Sequence, residues 1–299
     1  MTVPSPVTTP EELPAGFSRR QATVNGTGVS FLVGGSGEPL VLLHGWPQTA
    51  LAWRRILQPL AERGYRVIVP DLRGLGASDR ASSGYDKDSQ ADDVRALLDH
   101  LGIEGKVGLV GHDLGGMVAF AYARKHPAEV DRLVLMELAL PGFGLEEAMD
   151  VAHGGRWHFG LFMAADVPEL LFAGHEREFF QWWFAHLSAD PGQFSTTEID
   201  EVVRAYSGRQ SLVCGFNHYR TLLDDGRANR AWHEAGGRLS MPVLAVGGSA
   251  GVGSRLADSL HAVAPELTAA VVDGSGHFVA EERPDEVVQL LAGFLSSSR

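Results

Sequence analysis

Residues 107–117, Val-Gly-Leu-Val-Gly-His-Asp-Leu-Gly-Gly-Met, constrain this chain more than any other stretch. An apolar, β-branched run ends in Gly-x-Asp-x-Gly, and an alanine-rich helical pattern over 118–125 begins at once. The spacing predicts a strand, a sharp turn and a helix, which is the setting of a nucleophile elbow. Gly111 and Gly115 flank the turn because Cβ atoms would clash where the segments approach so closely. Asp113 is then thrust out above the sheet, at the amino end of a helix whose dipole favours an anion.

The identity of that residue selects the chemistry. A serine attacking a saturated carbon would leave an ether with no exit. A carboxylate attacking the same carbon leaves an ester, which water can hydrolyse at the carboxyl carbon of Asp113. An aspartate at the elbow therefore points to opening epoxides or displacing halide rather than to ester cleavage.

On either side of the elbow, apolar strands alternate with helical patterns. Strands are expected over 21–25 and 29–33, around the hairpin signal Asn25-Gly26-Thr27-Gly28, then over 39–43, 66–70, 131–137, 241–246 and 268–272. Helices are expected over 50–64, 89–101, from 255, and over 284–295. Near-continuously apolar strands alternating with helices mean a mostly parallel, doubly wound α/β sheet covered on both faces. From about 145 to 227 the pattern turns helical and aromatic, so a cap over 141–227 is expected between two core segments, 1–140 and 228–299. Residues up to about 18 read as a loosely draped arm. A net charge of −12 argues against nucleic acid and anionic membranes as partners. The single Cys214 excludes an intramolecular disulfide. There is no apolar leader segment and no run of 18 apolar residues, so a cytoplasmic enzyme is expected. The twelve histidines show no metal-ligand spacing and no glycine loop matches a dinucleotide or phosphate site, so neither a metal nor an organic cofactor is implied. A homodimer is compatible with the chain.

In a parallel sheet the strand C-ends share one edge, so loops far apart in sequence can meet there. His277, in Asp273-Gly274-Ser275-Gly276-His277 after the last strand, is the candidate general base for the hydrolytic water. A third group must orient its imidazole. The loop after the strand at 241–246 holds no acid, whereas Glu137 closes the otherwise apolar run Val134-Leu135-Met136. A carboxylate there is costly unless paired, so Glu137 is the orienting acid. His44-Gly45-Trp46-Pro47 follows a buried strand on the same edge. Backbone N–H groups of Trp46 and Leu114 would form an oxyanion hole for the tetrahedral intermediate.

Over nearly its whole length the chain resembles the α/β-hydrolase superfamily, and within it the Cif-like bacterial epoxide hydrolases. His44 to Pro47, Asp71 to Ser78, Gly111 to Gly116, Trp157-His158-Phe159 and Tyr219-Arg220 carry the likeness. It implies an α/β-hydrolase fold with an inserted cap, and a small apolar epoxide and water as reactants. It further implies that His158 and Tyr219 donate hydrogen bonds to the epoxide oxygen. A phenol of ordinary pKa near 10 suits the alkoxide that ring opening produces.

Two other classes compete. Dehalogenases use the same Asp, His and acid. The fluoroacetate enzymes follow the nucleophile with arginines and the haloalkane enzymes with a tryptophan, where this chain has Leu114 and Met117. A non-catalytic ligand receptor on the same fold is the other, since fold does not fix function.

Overall fold

A computed structural model describes residues 13–296, so most of the expected arm lies outside the described residues. Among these, eight strands form one sheet in the order β1-β2-β4-β3-β5-β6-β7-β8. They are β1 (Ser18–Val24), β2 (Thr27–Gly35), β3 (Glu38–Leu43), β4 (Tyr65–Pro70), β5 (Val107–His112), β6 (Val130–Met136), β7 (Val243–Gly248) and β8 (Leu267–Val272). β2 runs antiparallel to β1 and β4; the remaining pairings are parallel. Asn25 and Gly26, both at positive φ (46° and 74°), make the two-residue turn that sets Val24 opposite Thr27.

Alternation along the strands divides the core in two. Val41, Leu43, Leu109, Leu133 and Leu135 pack with α2 (Lys87–His100) and α3 (Leu114–Lys125). Leu40, Leu42, Val110, Val134 and Met136 pack with α1 (Arg54–Glu62) and the C-terminal helix Pro284–Ser296. Each such side chain, fully buried, stabilises by about 1.5–3 kcal/mol. Every residue of α3 from Leu114 to Ala123 is buried, which its alanines and glycines permit. The edge strand β8 departs from the expectation of two covered faces: Thr268, Ala269 and Val271 are exposed.

Between β6 and β7 the described chain is helical. It runs through α4 (Leu145–Ala148), α5 (Trp157–Met163), α6 (Val167–Phe172), α7 (Glu176–Leu187), α8 (Thr196–Tyr206), α9 (Arg209–Arg220) and α10 (Leu222–Glu234). α10 passes straight through position 227, where the sequence reading drew a boundary. Gly226, beside it, does not break the helix, which ends before Gly236-Gly237, with Gly236 at φ 91°. α2 likewise starts two residues earlier than expected, because Asp86 caps it by accepting from Ser89 N at 2.8 Å. Past β7 come α11 (Arg255–Leu260), α12 (Val279–Glu282) and α13, the C-terminal helix named above.

Register aligns the functional edge. Leu43 pairs with Gly111, His112 with Met136, and Met136 with Val246. Asp113 and Glu137 therefore leave their strands at the same level. Asp113 N donates to Met136 O (3.0 Å) and Glu137 N to Val246 O (2.9 Å).

Candidate active site

Asp113 sits at φ 50°, ψ −122°, a conformation that non-glycine residues rarely adopt. The surroundings hold it there. A Cβ on Gly111 would run into the backbone of Gly115 and Gly116, one on Gly115 into Leu43 and His44, and one on Gly45 into Asp113 itself. With those three side chains absent, the β3 loop lies against the elbow and Trp46 N donates to Asp113 Oδ2 at 2.9 Å. Leu114 is the first residue of α3, so its N–H has no acceptor within the helix. The loop is fixed from beneath by His44, fully buried, whose Nε2 accepts from Leu72 N at 3.0 Å.

The second cluster lies at the ends of β6, β7 and β8. His277 Nδ1 is 3.3 Å from Glu137 Oε2. Glu137 is buried and also at positive φ, 47°. Its Oε1 accepts from Gly248 N (2.6 Å) and Val252 N (2.8 Å), and a Cβ on Gly251 would collide with the carboxylate. The glycine-rich loop with no acid of its own thus wraps the acid supplied by β6. Hydrogen bonds to an ionised carboxylate contribute about 1.5–3 kcal/mol each, which offsets its burial. His277 N donates to Leu187 O, at the end of α7 (2.8 Å). Glu282 accepts from Gly276 N, Phe278 N and Ala189 N at 2.8–2.9 Å, binding the His277 loop to the chain after α7.

The third cluster belongs to the helical insertion. His158 on α5 and Tyr219 on α9 are both buried, with ring centroids 6.4 Å apart at 89°. Among the described residues neither side chain has a hydrogen-bond partner, although rings surround both. Burial, with Arg156 and His277 adding to it, pushes His158 down to about 3, so it is a neutral imidazole. Burial, the Asp113 charge and Tyr206 push the Tyr219 hydroxyl well above its ordinary value, so it keeps its proton. Trp46 joins this cluster to the elbow. Its ring lies 5.7 Å from Tyr219, 4.9 Å from Phe162 and 5.3 Å from Trp183, while the backbone N–H of Trp46 holds Asp113.

A sequence profile described as the alpha/beta hydrolase fold matches residues 38–284. The chain belongs to the α/β-hydrolase fold family. It is 36% identical to a soluble epoxide hydrolase of Corynebacterium sp. (strain C12), over 95% of this chain and 99% of that protein. It is 30% identical to a fluoroacetate dehalogenase of Burkholderia sp, over 95% of each chain. The crystal structure of the Cif epoxide hydrolase from Acinetobacter nosocomialis superposes with a TM-score of 0.89 at 26% identity, covering 95% of this chain and 90% of that one.

Sequence reasoning about this α/β hydrolase overlooked two things. It credited Trp46 with its backbone alone, whereas the ring is the hub of the aromatic cluster; the run of aromatics at 157–184 was the available signal. It also passed over Gln48, His112 and Glu281, three buried polar side chains linked behind the site. Among the described residues no group of three or more His, Cys, Asp or Glu could hold a metal ion. No helix there is long and apolar enough to cross a membrane.

Proposed function

We propose that this protein is an epoxide hydrolase, turning a small apolar epoxide into a vicinal diol through an ester on Asp113. The carboxylate attacks one ring carbon, the carbon–oxygen bond breaks, and the oxygen takes up negative charge. Tyr219 O–H and His158 N–H receive that oxygen. His158, being neutral, donates a hydrogen bond without carrying a spare proton; Tyr219 is the proton donor. His277 then takes a proton from water, which attacks the carboxyl carbon of Asp113. The oxyanion so formed is met by the N–H groups of Trp46 and Leu114. Collapse breaks the bond from the carboxyl carbon to the substrate oxygen, which takes the proton held by His277; the second proton of the water returns through solvent to the Tyr219 phenolate, and the diol leaves. Glu137 stabilises the imidazolium in between.

The observation that carries this reading is the pair of donors, His158 and Tyr219, that have no protein hydrogen-bond partner among the described residues, with Tyr219 close enough to feel the Asp113 charge. Both donors are free to meet a substrate oxygen. A departing halide needs no proton, and the carboxylate of a haloacid would need a cation where Leu114 and Met117, both buried, stand beside the nucleophile. The dehalogenase relative at 30% identity favours the second reading, halide displacement by the same Asp113, and one assay separates the two. Given styrene oxide and fluoroacetate in parallel, the enzyme should form diol from the first and release little or no fluoride from the second. Faster fluoride release would reverse the assignment. Residues 141–227, with the remainder of α10, act as the cap that completes the site. The lone Cys214 suits a reducing compartment, and the cytoplasm is the proposed setting.

A further inference from the structure

Behind His277 lies a chain of side chains that the mechanism above does not use. His112, the last residue of β5, places Nε2 2.8 Å from the carbonyl oxygen of His277. Its Nδ1 is 2.9 Å from one end of the Gln48 amide, whose other end meets Oε2 of Glu281. All three side chains are buried. The cavity beside them is about 10 Å³, at the lower limit for a single water, so the side chains have to satisfy one another.

A carbonyl only accepts, so His112 Nε2 must carry a hydrogen. The two ends of an amide are told apart only by their partners, which leaves two arrangements. If the Gln48 oxygen faces His112, Nδ1 must carry a hydrogen as well, and His112 is an imidazolium above a Glu281 carboxylate. If the amide is turned over, His112 is neutral and the Gln48 oxygen faces Glu281, which must then be a carboxylic acid. Both arrangements hold one proton more than neutral imidazole plus carboxylate. Remove it and one bond of the chain has no hydrogen left to make it.

We propose that Gln48, His112 and Glu281 share one proton whose presence keeps the carbonyl of His277 hydrogen-bonded, making Glu281 a positioning residue for the base. The inference rests on His277 being that base. The backbone of His277 is then gripped on both sides, by His112 at its carbonyl and by Leu187 at its N–H. Loss of the proton leaves His112 a single N–H for two acceptors, the His277 carbonyl and the Gln48 oxygen, so the first grip is shared and weakened and the imidazole can drift from its water.

The surroundings favour the acid form. Burial pushes Glu281 up to about 8; Arg54 and Arg55 from α1 and the Gln48 bond oppose this, while Glu198 from α8 adds to it. Both arginines are themselves paired, Arg54 with Glu201 and Arg55 with Glu198. Burial holds His112 well below its ordinary value. His277 and His44 push the same way and the bond to the His277 carbonyl opposes. With the Gln48 amide turned so that its oxygen faces Glu281, the proton is assigned to Glu281 and His112 stays neutral.

Two measurements test this. In the resting wild-type enzyme, the imidazole N–H resonance of His112 is followed by proton NMR from neutral to alkaline pH. It should shift or vanish with a midpoint near 8; a resonance that does not titrate overturns the proposal. That result is independent of substrate, so it stands apart from whether an ester forms on Asp113. In turnover, hydrolysis of the ester should fall about tenfold as pH rises through the same midpoint, with ring opening unchanged. Glu281→Gln supplies a permanent N–H to Gln48 and should keep neutral activity while abolishing that alkaline fall. Glu281→Leu, which leaves nothing at 281 to titrate, should also lose the alkaline fall. A Glu281→Gln enzyme with the wild-type alkaline fall overturns the proposal, and if this variant does not fold the wild-type titration decides.

Discussion

The two ends of the site satisfy their polar groups in opposite ways. At the base end, Glu137 is held by two backbone N–H groups and the imidazole, and Glu282 by three more N–H groups. At the cap end, His158 and Tyr219 stand among rings with no polar partner of their own. The base end is finished before any substrate arrives. On the proposed mechanism, the cap end is finished by the substrate. Hydrolysis needs a base whose position never varies, whereas ring opening needs donors not already spent on the protein.

If the comparison is right, variants at the two ends fail at different steps. The largest effect is expected for His277→Ala, which should slow ester hydrolysis by about 10²–10⁴ while leaving alkylation running. Intact-protein mass spectrometry should then show one substrate mass added to the enzyme, mapping to Asp113. Glu137→Gln should accumulate the same adduct, and an equal adduct in Asp113→Asn, Glu137→Gln would undo the mechanism. Next comes Tyr219→Phe, expected to slow ring opening by about 10² with no adduct build-up. An accumulating ester in this variant would erase the distinction between the ends. Gly251→Ala should act on the base end alone. Its methyl collides with the Glu137 carboxylate, costing about 1–3 kcal/mol of stability and slowing hydrolysis but not alkylation.

The smallest effect concerns pH and stability at the cap end. His158, near 3 in the folded protein against an ordinary 6.5, has a depressed folded value. The unfolded chain binds this proton first as pH falls, so the contribution is present above 6.5 and is lost progressively down to about 3. Between neutral pH and pH near 4, the wild type should lose several degrees more in Tm than His158→Phe. Equal losses would mean that His158 is less desolvated than its packing implies.

Legibility followed the same division. Asp113 and His277 could be read because the glycines that accommodate their backbones are local in sequence. Glu137 could be read because a carboxylate ending an apolar strand needs a reason. The wrapping of that carboxylate could not, since Gly248 and Val252 contribute only N–H groups, which every residue but proline possesses. The parallel order of the sheet was legible from strand–helix alternation, and the hairpin from Asn25-Gly26. The end of α10 was misplaced because aromatic content marks burial, not a helix terminus. The Gln48–Glu281 contact spans 233 positions, and no periodicity reports on a pair so distant.

The bond from His277 N to Leu187 O, with Glu282 reaching across to Ala189, has a mechanical consequence. These are seams between the helical insertion and the loop that carries His277, the proposed base. Lifting the insertion at the α7 end would drag His277 out of line, so an opening that spares the base must pivot there. The seam is then a hinge line, about which the insertion can turn with His277 left in place.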